Sequence, residues 1–511
     1  MLISEGHHIV HIDSHSSLED GKDVIAIDPD GVLCGYQLKA GNISKTRWRE
    51  EVQGELRELV EFPTHHPSFY GKFCRPFLVT TGTLNENALH NLHMFNQSLP
   101  DRFERVTLID RHDLLNRFAT CNAPVMPVEP IDFKQFLDIM YCDGHEMLDK
   151  NRFSEFLDGL IDESTGQMRT GELRRRATGA MVLSSHALSA HANVSNHFAT
   201  AEGWSLAACR IIRAAHSFGL SPTHWRQSVS LACDTAQHAL DQLRLEALDR
   251  EQLQEGDVLG DGGPVWCARM TVLCGALAAS QLLHQANGTI PDDVNETRQF
   301  IRDNWKSMTV WGESAFPYFL LIYLFMRGSS KDQIAAENML CFSYLGGLAN
   351  INGSNNASPG VPNPYYTAQQ CLEFMTGLDP DVFGRDTFRG NSFTSLGCIL
   401  LLRRAMRRQA LNIIWHNVSR MSYSEMSVTD FADFLKYRSA TGTMKSIFLP
   451  APTGWNALEV DRKRRIAETS RMLPTEFLLD PRLPILFAMT HPHRLTAGFC
   501  AWLDEQVSRK A

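Results

Sequence analysis

The stretch GKDVIAIDPDGVLCGYQLKAG, residues 21–41, decides how the first part of the chain folds. Two apolar runs, 23–28 and 31–41, flank Asp28-Pro29-Asp30-Gly31. Proline presets the φ of the second turn position and glycine suits the fourth, so the runs read as the arms of a β-hairpin. With the turn centred on Pro29 and Asp30, facing residues sum to about 59 or 60 in number, which sets Asp23 opposite Tyr36 or Gln37. Side chains alternate across a strand, so Gln37 and Lys39 share one face, roughly 6 to 7 Å apart along it, and Leu38 takes the other. Asp23, Gln37 and Lys39 are therefore expected to converge at one end of the sheet.

Working outward, HHIVHI (7–12) reads as a strand before the hairpin. SKTRWREEVQGELRELVEF (44–62) reads as a helix that Ser44 can cap, with Trp48, Val52, Leu56, Leu59 and Val60 at helical spacing. FCRPFLVTTG (73–82) reads as strand, LNENALHNLHMFNQSL (84–99) as helix, RVTLID (105–110) as strand and RHDLLNRF (111–118) as a short helix. Strand and helix alternate from residue 44 on, which predicts βαβ crossovers and a central mixed sheet flanked by helices.

The polar triad has a chemical logic. Mg²⁺ takes oxygen ligands and keeps several waters, so a carboxylate and an amide or backbone carbonyl can hold it beside a substrate phosphate. A neighbouring ammonium can orient the attacking water or stabilise charge developing on the phosphate. Each residue also has an ordinary reading, Asp23 as a hairpin-edge residue and Lys39 as a surface lysine with a buried stem.

Taken with the order of elements, residues 1–118 resemble the Mrr-like branch of the restriction-endonuclease superfamily, the PD-(D/E)xK nucleases, whose core runs G-x-D, an apolar strand, a turn, then Q-x-K. Here these are Gly21-Lys22-Asp23 and Gln37-Leu38-Lys39, and FLVTTG (77–82) and VTLIDRHDLL (106–115) follow in the family's order. The resemblance implies an α/β restriction-endonuclease-like domain that hydrolyses DNA phosphodiesters with Mg²⁺ or Mn²⁺. Asp23 would be the metal ligand, Gln37 would sit beside the metal and Lys39 would activate the water. The family fold opens with a helix carrying an auxiliary acidic residue, whereas only MLISEG precedes the first strand. Either that helix is cut short or the domain starts upstream, and Glu5 is a poor substitute. Residues 1–118 hold 12 basic and 17 acidic side chains, so grip on DNA is expected from another part of the chain.

The whole chain, 511 residues, is long enough for two or three domains. Its 49 Lys and Arg against 58 Asp and Glu exclude a nonspecific basic coat for nucleic acid or anionic membrane. Twelve cysteines without CxxC pairs, and no stretch read as a secretory signal, predict reduced thiols in a cytosolic protein, with Cys267 and Cys274 on one helix face. The longest apolar run, FPYFLLIYLFM (316–326), is too short to span a bilayer and reads as a buried helix.

Residues 119–511 are predicted to be mainly α-helical, with helices over 130–161, 204–220, 224–248, 265–286 and 391–418, and with the connections 254–264 and 350–364 as candidate points of subdivision. Histidines 186, 191 and 197 lack ligand spacing, THPHRL (490–495) reads as loop, and no phosphate-cradling motif occurs. Arg403, Arg404, Arg407 and Arg408 would share one helix face, and 461–465 and 174–176 are further basic clusters. They read as phosphate contacts or as solvated faces paired with neighbouring Glu. Three functions stay open: a DNA nuclease of the prokaryotic restriction or anti-phage kind, a catalytically inactive nuclease fold serving as a protein-binding module, and an RNA-directed nuclease. Expected partners are DNA and a defence protein engaged through the helical region, with no membrane and with a homo-oligomer favoured by cleavage of two strands.

Overall fold

The computed structural model describes residues 2, 5–12, 22–64, 69–122, 138–139, 142–161, 170–249, 263–352, 362–366, 371, 373, 391–427, 430–437, 445–449 and 454–510. Gly21 and most of the connections 254–264 and 350–364 lie outside them. The chain divides into two compact units, Met1–Val128 with Arg169–Val182, and Glu129–Met168 with Leu183–Ala511.

In the first unit the hairpin forms as its sequence requires. Strand β2 (Val24–Ile27) pairs antiparallel with β3 (Leu33–Lys39), from Val24 facing Tyr36 to Ile27 facing Leu33. The turn closes through Gly31 N donating to Asp28 O at 3.0 Å, while Asp28 Oδ1 accepts from the N–H of Asp30 and Val32. Gly31 has φ +84°, the left-handed region that a Cβ disfavours. Strand β1 (His8–Ile12) adds antiparallel to β2. Strands β4 (Arg75–Thr80) and β5 (Thr107–Ile109) add parallel beyond β3, giving a five-stranded mixed sheet in the order β1-β2-β3-β4-β5.

Helices cover both faces of that sheet, as parallel crossovers require. Between β3 and β4, Ser44 caps a first turn by accepting from Arg47 N at 3.3 Å. The chain then widens into a π turn (Trp48–Val52) before helix α1 (Gln53–Glu61), where an unbroken helix is expected from the sequence. Trp48, Val52, Leu56, Leu59 and Val60 form one buried cluster with Leu78 of β4 and with Ala88, Leu92 and Phe95 of helix α2 (Glu86–Ser98). The opposite face packs Cys34, Tyr36, Phe77, Val79 and Ile109 against Leu114 of helix α3 (Arg111–Asn122). Tyr36 and Phe77 stack there at 4.8 Å.

The second unit is largely helical. Its elements include α4 (Lys150–Leu160), α5 (His197–Ser217), α6 (Arg226–Leu248), α7 (Pro264–Ala286) and α8 (Phe316–Arg327). They continue with α9 (Ser395–Arg404), α10 (Arg408–Val418), α11 (Trp455–Met472), α12 (Leu483–Thr490) and α13 (Ala497–Lys510). Helix α5 packs on α6, α7 on α8, and α11 on α13. All of residues 316–326 are buried within α8. Helix α7 is, among the described residues, the one helix long and apolar enough to cross a membrane, and 61% of its most apolar window is buried inside the protein. The described cysteines form no disulfide, and Cys274 is buried while Cys267 is partly exposed.

Three features of this unit depart from the sequence expectation. Of the helix expected over 130–161, residues 142–149 are bends and coil, and the long helix begins only at Lys150. A small sheet of β6 (Asn391–Ser392), β7 (Ser422–Ser427) and β8 (Lys445–Leu449) stands in a region expected to be mainly helical, unannounced because its strands are short and SYSEMS carries no clean apolar alternation. The helix expected over 391–418 is broken. Its first half ends in a Schellman motif, with Arg407 N donating to Leu402 O at 3.0 Å and Met406 at φ +58° in the position usually given to glycine. Arg403 and Arg404 therefore end one helix while Arg407 and Arg408 begin the next, and the four do not form one basic face.

Candidate functional site

The hairpin register carries one step past Val24 and Tyr36 to bring Asp23 beside Gln37, the second of the two partners expected. Gln37 Nε2 donates to Asp23 Oδ2 at 2.9 Å, and the backbone N–H of Leu38 donates to the same oxygen. The carboxylate thus straps the start of β2 to the end of β3. Gly35, Gln37 and Lys39 share the face beneath α1, and Leu38 points the other way and is exposed.

Helix α1 lies close over that face because residue 35 is glycine. A Cβ there would come within 3.0 Å of both Leu59 Cδ1 and Cys74 Cβ. One helical turn before Leu59, the same side of α1 presents Glu55, whose carboxylate takes the Lys39 ammonium at 2.7 Å through Oε1 and 2.5 Å through Oε2. The side chains of Lys39 and Glu55 are 14% and 34% exposed, so the pair is shielded more than a surface ion pair. Gln37 lies between them and Gly35 at 4% exposure, and its Oε1 has no hydrogen-bond partner among the described residues. Natural interiors rarely leave such an oxygen unmet, and the exceptions point to a ligand, ion or water.

The rim of the site is two interlocked loops. Thr80 Oγ1 donates to Gly41 O at 2.7 Å, Gly41 N donates to Thr81 Oγ1 at 2.8 Å and Thr83 N donates to Asn42 Oδ1 at 2.9 Å. Gly82 passes so near that a Cβ would sit 2.3 Å from the Gly41 carbonyl carbon. Arg47 Nη1 donates to Ala40 O at 2.6 Å and fixes the strand's exit.

The structure joins Asp23 to Gln37 by a hydrogen bond and Lys39 to Glu55 by an ion pair, with Gln37 and Lys39 on one face of β3; Glu55 is the residue that sequence reasoning missed. Its only prior signal is the spacing to Leu59 on the buried side of α1. An orphaned amide oxygen beside a carboxylate fits a hard divalent cation such as Mg²⁺ or Mn²⁺, with Asp23 and Gln37 as the residues that would hold it. Among the described residues no group of three His, Cys, Asp or Glu side chains is placed to hold a metal. Burial pushes the Cys74 thiol up to about 11 and raises that of Cys34, so neither of these two thiols is poised as a nucleophile.

Elsewhere most of the arginines and histidines singled out in the sequence have structural partners. Arg404 pairs with the buried Asp504 at 2.5 Å, Arg407 with Glu337 at 3.4 Å, and Arg403 donates to Trp455 O at 2.9 Å. Of the 461–465 run, Arg462 pairs with Glu459 and Glu505, Arg464 with Asp461 and Glu468, and Arg465 with Glu425 and Asp461. Arg176 pairs with Glu172. His191 Nδ1 lies 2.9 Å from Gly144 O and His197 pairs with Glu246. His491 and His493 lie in the short connection after α12, which contains one 3-10 turn (Pro492–Arg494), and both are buried, His491 stacked on Phe487 at 4.4 Å.

Comparison with protein-family models, with curated proteins and with solved structures finds no match to this chain.

Proposed function

We propose that the first unit is a divalent-metal-dependent nuclease domain that hydrolyses phosphodiester bonds, DNA first among its substrates. The observation that carries this is the hydrogen bond of Asp23 to a buried Gln37 whose Oε1 is unmet, with Lys39 two residues along the same face of β3. Support for DNA comes from the likeness of GKD and QLK, in their order, to Mrr-like nucleases.

In this reading Asp23 and Gln37 offer the carboxylate and amide oxygens for Mg²⁺ or Mn²⁺. When bound, the cation supplies Lewis acidity to the phosphoryl group and lowers the pKa of a water. Lys39 donates from Nζ to that water or to a phosphate oxygen as charge develops there. Water adds to phosphorus, the ester P–O bond breaks, and the leaving oxygen takes a proton. Helix α1 keeps bulk water from the inner side of the site. A role as a restriction or anti-phage effector, a homo-oligomeric state and a partner protein for the helical unit belong to the same proposal.

One observation favours the second reading, an inactive fold that binds a partner protein: the Lys39 ammonium is already neutralised by Glu55. Incubation of the purified chain with plasmid DNA and Mg²⁺, beside structured RNA, tests all three. Metal-dependent cleavage of plasmid supports the proposal, cleavage of RNA alone transfers the site to an RNA substrate, and cleavage of neither supports the binding module.

A further inference from the structure

We propose that Glu55 is the second carboxylate of the cation site, and that its ion pair with Lys39 is the metal-free arrangement which cation binding opens, handing Lys39 to the substrate. The inference rests on the reading of Asp23 and Gln37 as cation ligands and adds to it a donor and a release step.

Three observations lead there. Glu55 is not at the helix surface by accident of rotation: Leu59, on the same side of α1, is packed into the space left by Gly35, so the helix is fixed with Glu55 above the Lys39 end of β3. Gln37, with its orphaned oxygen, lies between Gly35, over which Leu59 packs, and Lys39, which pairs with Glu55, on the same face of β3. Third, the two carboxylates have different partners: Asp23 accepts from Gln37 Nε2 and the Leu38 N–H, and Glu55 pairs with Lys39. A divalent cation that takes an oxygen from Glu55 competes with Lys39 for it, and repels the ammonium toward an incoming phosphate. No covalent change is involved; one ion pair is exchanged for another.

The competition makes a signed prediction that a structural role for Glu55 does not. Mn²⁺ binding to the full chain is read by electron paramagnetic resonance and by calorimetry, without substrate, for the wild type, Glu55→Gln, Glu55→Asp, Lys39→Met and Asp23→Asn. Glu55→Gln is expected to weaken Mn²⁺ by about tenfold or more, with Glu55→Asp recovering part of the loss. Lys39→Met is expected to tighten Mn²⁺ by about threefold or more, because a competing cation is gone. Circular dichroism melts of each variant establish that it folds. Unchanged affinity in Glu55→Gln with binding lost in Asp23→Asn overturns the role of Glu55 and leaves the nuclease reading standing. Weaker Mn²⁺ binding in Lys39→Met overturns the exchange. Absence of binding in every form, wild type included, overturns the inference and the cation site beneath it.

Discussion

Replacing Gln37 by leucine separates a functional residue from a core residue by sign. Gln37 is 4% exposed, makes one hydrogen bond to Asp23 at 2.9 Å, and leaves Oε1 unmet. Leucine has nearly the same volume, so no cavity opens. Losing a hydrogen bond to a charged group costs about 1.5 to 3 kcal/mol, while removing a buried unsatisfied oxygen returns about 1 to 3 kcal/mol. Asp23 keeps the Leu38 N–H as a donor. The two terms nearly cancel, so the metal-free variant is expected within about 1.5 kcal/mol of the wild type, equivalent to about tenfold in opening constant. Hydrogen exchange of peptides covering β3 and α1, followed by mass spectrometry, measures this locally. Added Mg²⁺ should slow exchange in the wild type and leave the variant unchanged, because only the wild type gains the linkage free energy of a bound cation. Plasmid cleavage should fall by about a hundredfold. Exchange accelerated more than about a hundredfold without metal would refute the reasoning, since Gln37 would then be a satisfied core residue. Unimpaired cleavage would refute it from the other side.

Other outcomes follow from individual contacts. Gly82→Ala should destabilise the first unit by about 1 to 3 kcal/mol by driving a methyl into the Gly41 backbone, whereas Gly41→Ala, at φ +72° in open space, meets only the left-handed backbone cost of about 1 kcal/mol. Exchange in the 40–43 and 80–84 segments ranks the two, and the reverse order contradicts the interlocked rim. Arg404→Ala should cost about 3 kcal/mol in urea unfolding, because Asp504 is buried and is left with Arg327, while DNA affinity and its salt dependence stay unchanged. A lost salt dependence would restore the phosphate-contact reading of that cluster. Burial, with Arg494 and Lys150 nearby, holds His491 well below its ordinary value, so the unfolded chain binds the extra proton. The second unit should therefore lose stability as pH falls below about 6.5, by up to about 1.4 kcal/mol per pH unit from this group. His491→Phe should flatten that limb of the urea-unfolding profile, and an unchanged slope contradicts the assignment.

The hairpin was legible because its determinants are local: Pro29 and Gly31 set the turn, and the register that follows puts Asp23 beside Gln37 without knowledge of the rest. The strand and helix order through residue 118 was legible for the same reason, each element carrying its own periodicity. Glu55 was not, because its place depends on how α1 rotates over the sheet, and that is settled by Leu59 meeting Gly35, a contact between residues 24 apart in the chain. Met406 hid a helix end because an exposed methionine occupies the left-handed position where glycine would have announced it. The arginine runs were ambiguous in sequence because their acidic partners, Glu337, Glu425, Asp504 and Glu505 among them, come from distant segments.

The most direct measurement is cleavage of supercoiled plasmid by the purified chain with Mg²⁺, beside Asp23→Ala and Lys39→Ala. The account predicts nicking by the wild type that chelation stops, and a fall of about a hundredfold or more in both variants. Equal cleavage by all three proteins, or by none, would contradict it.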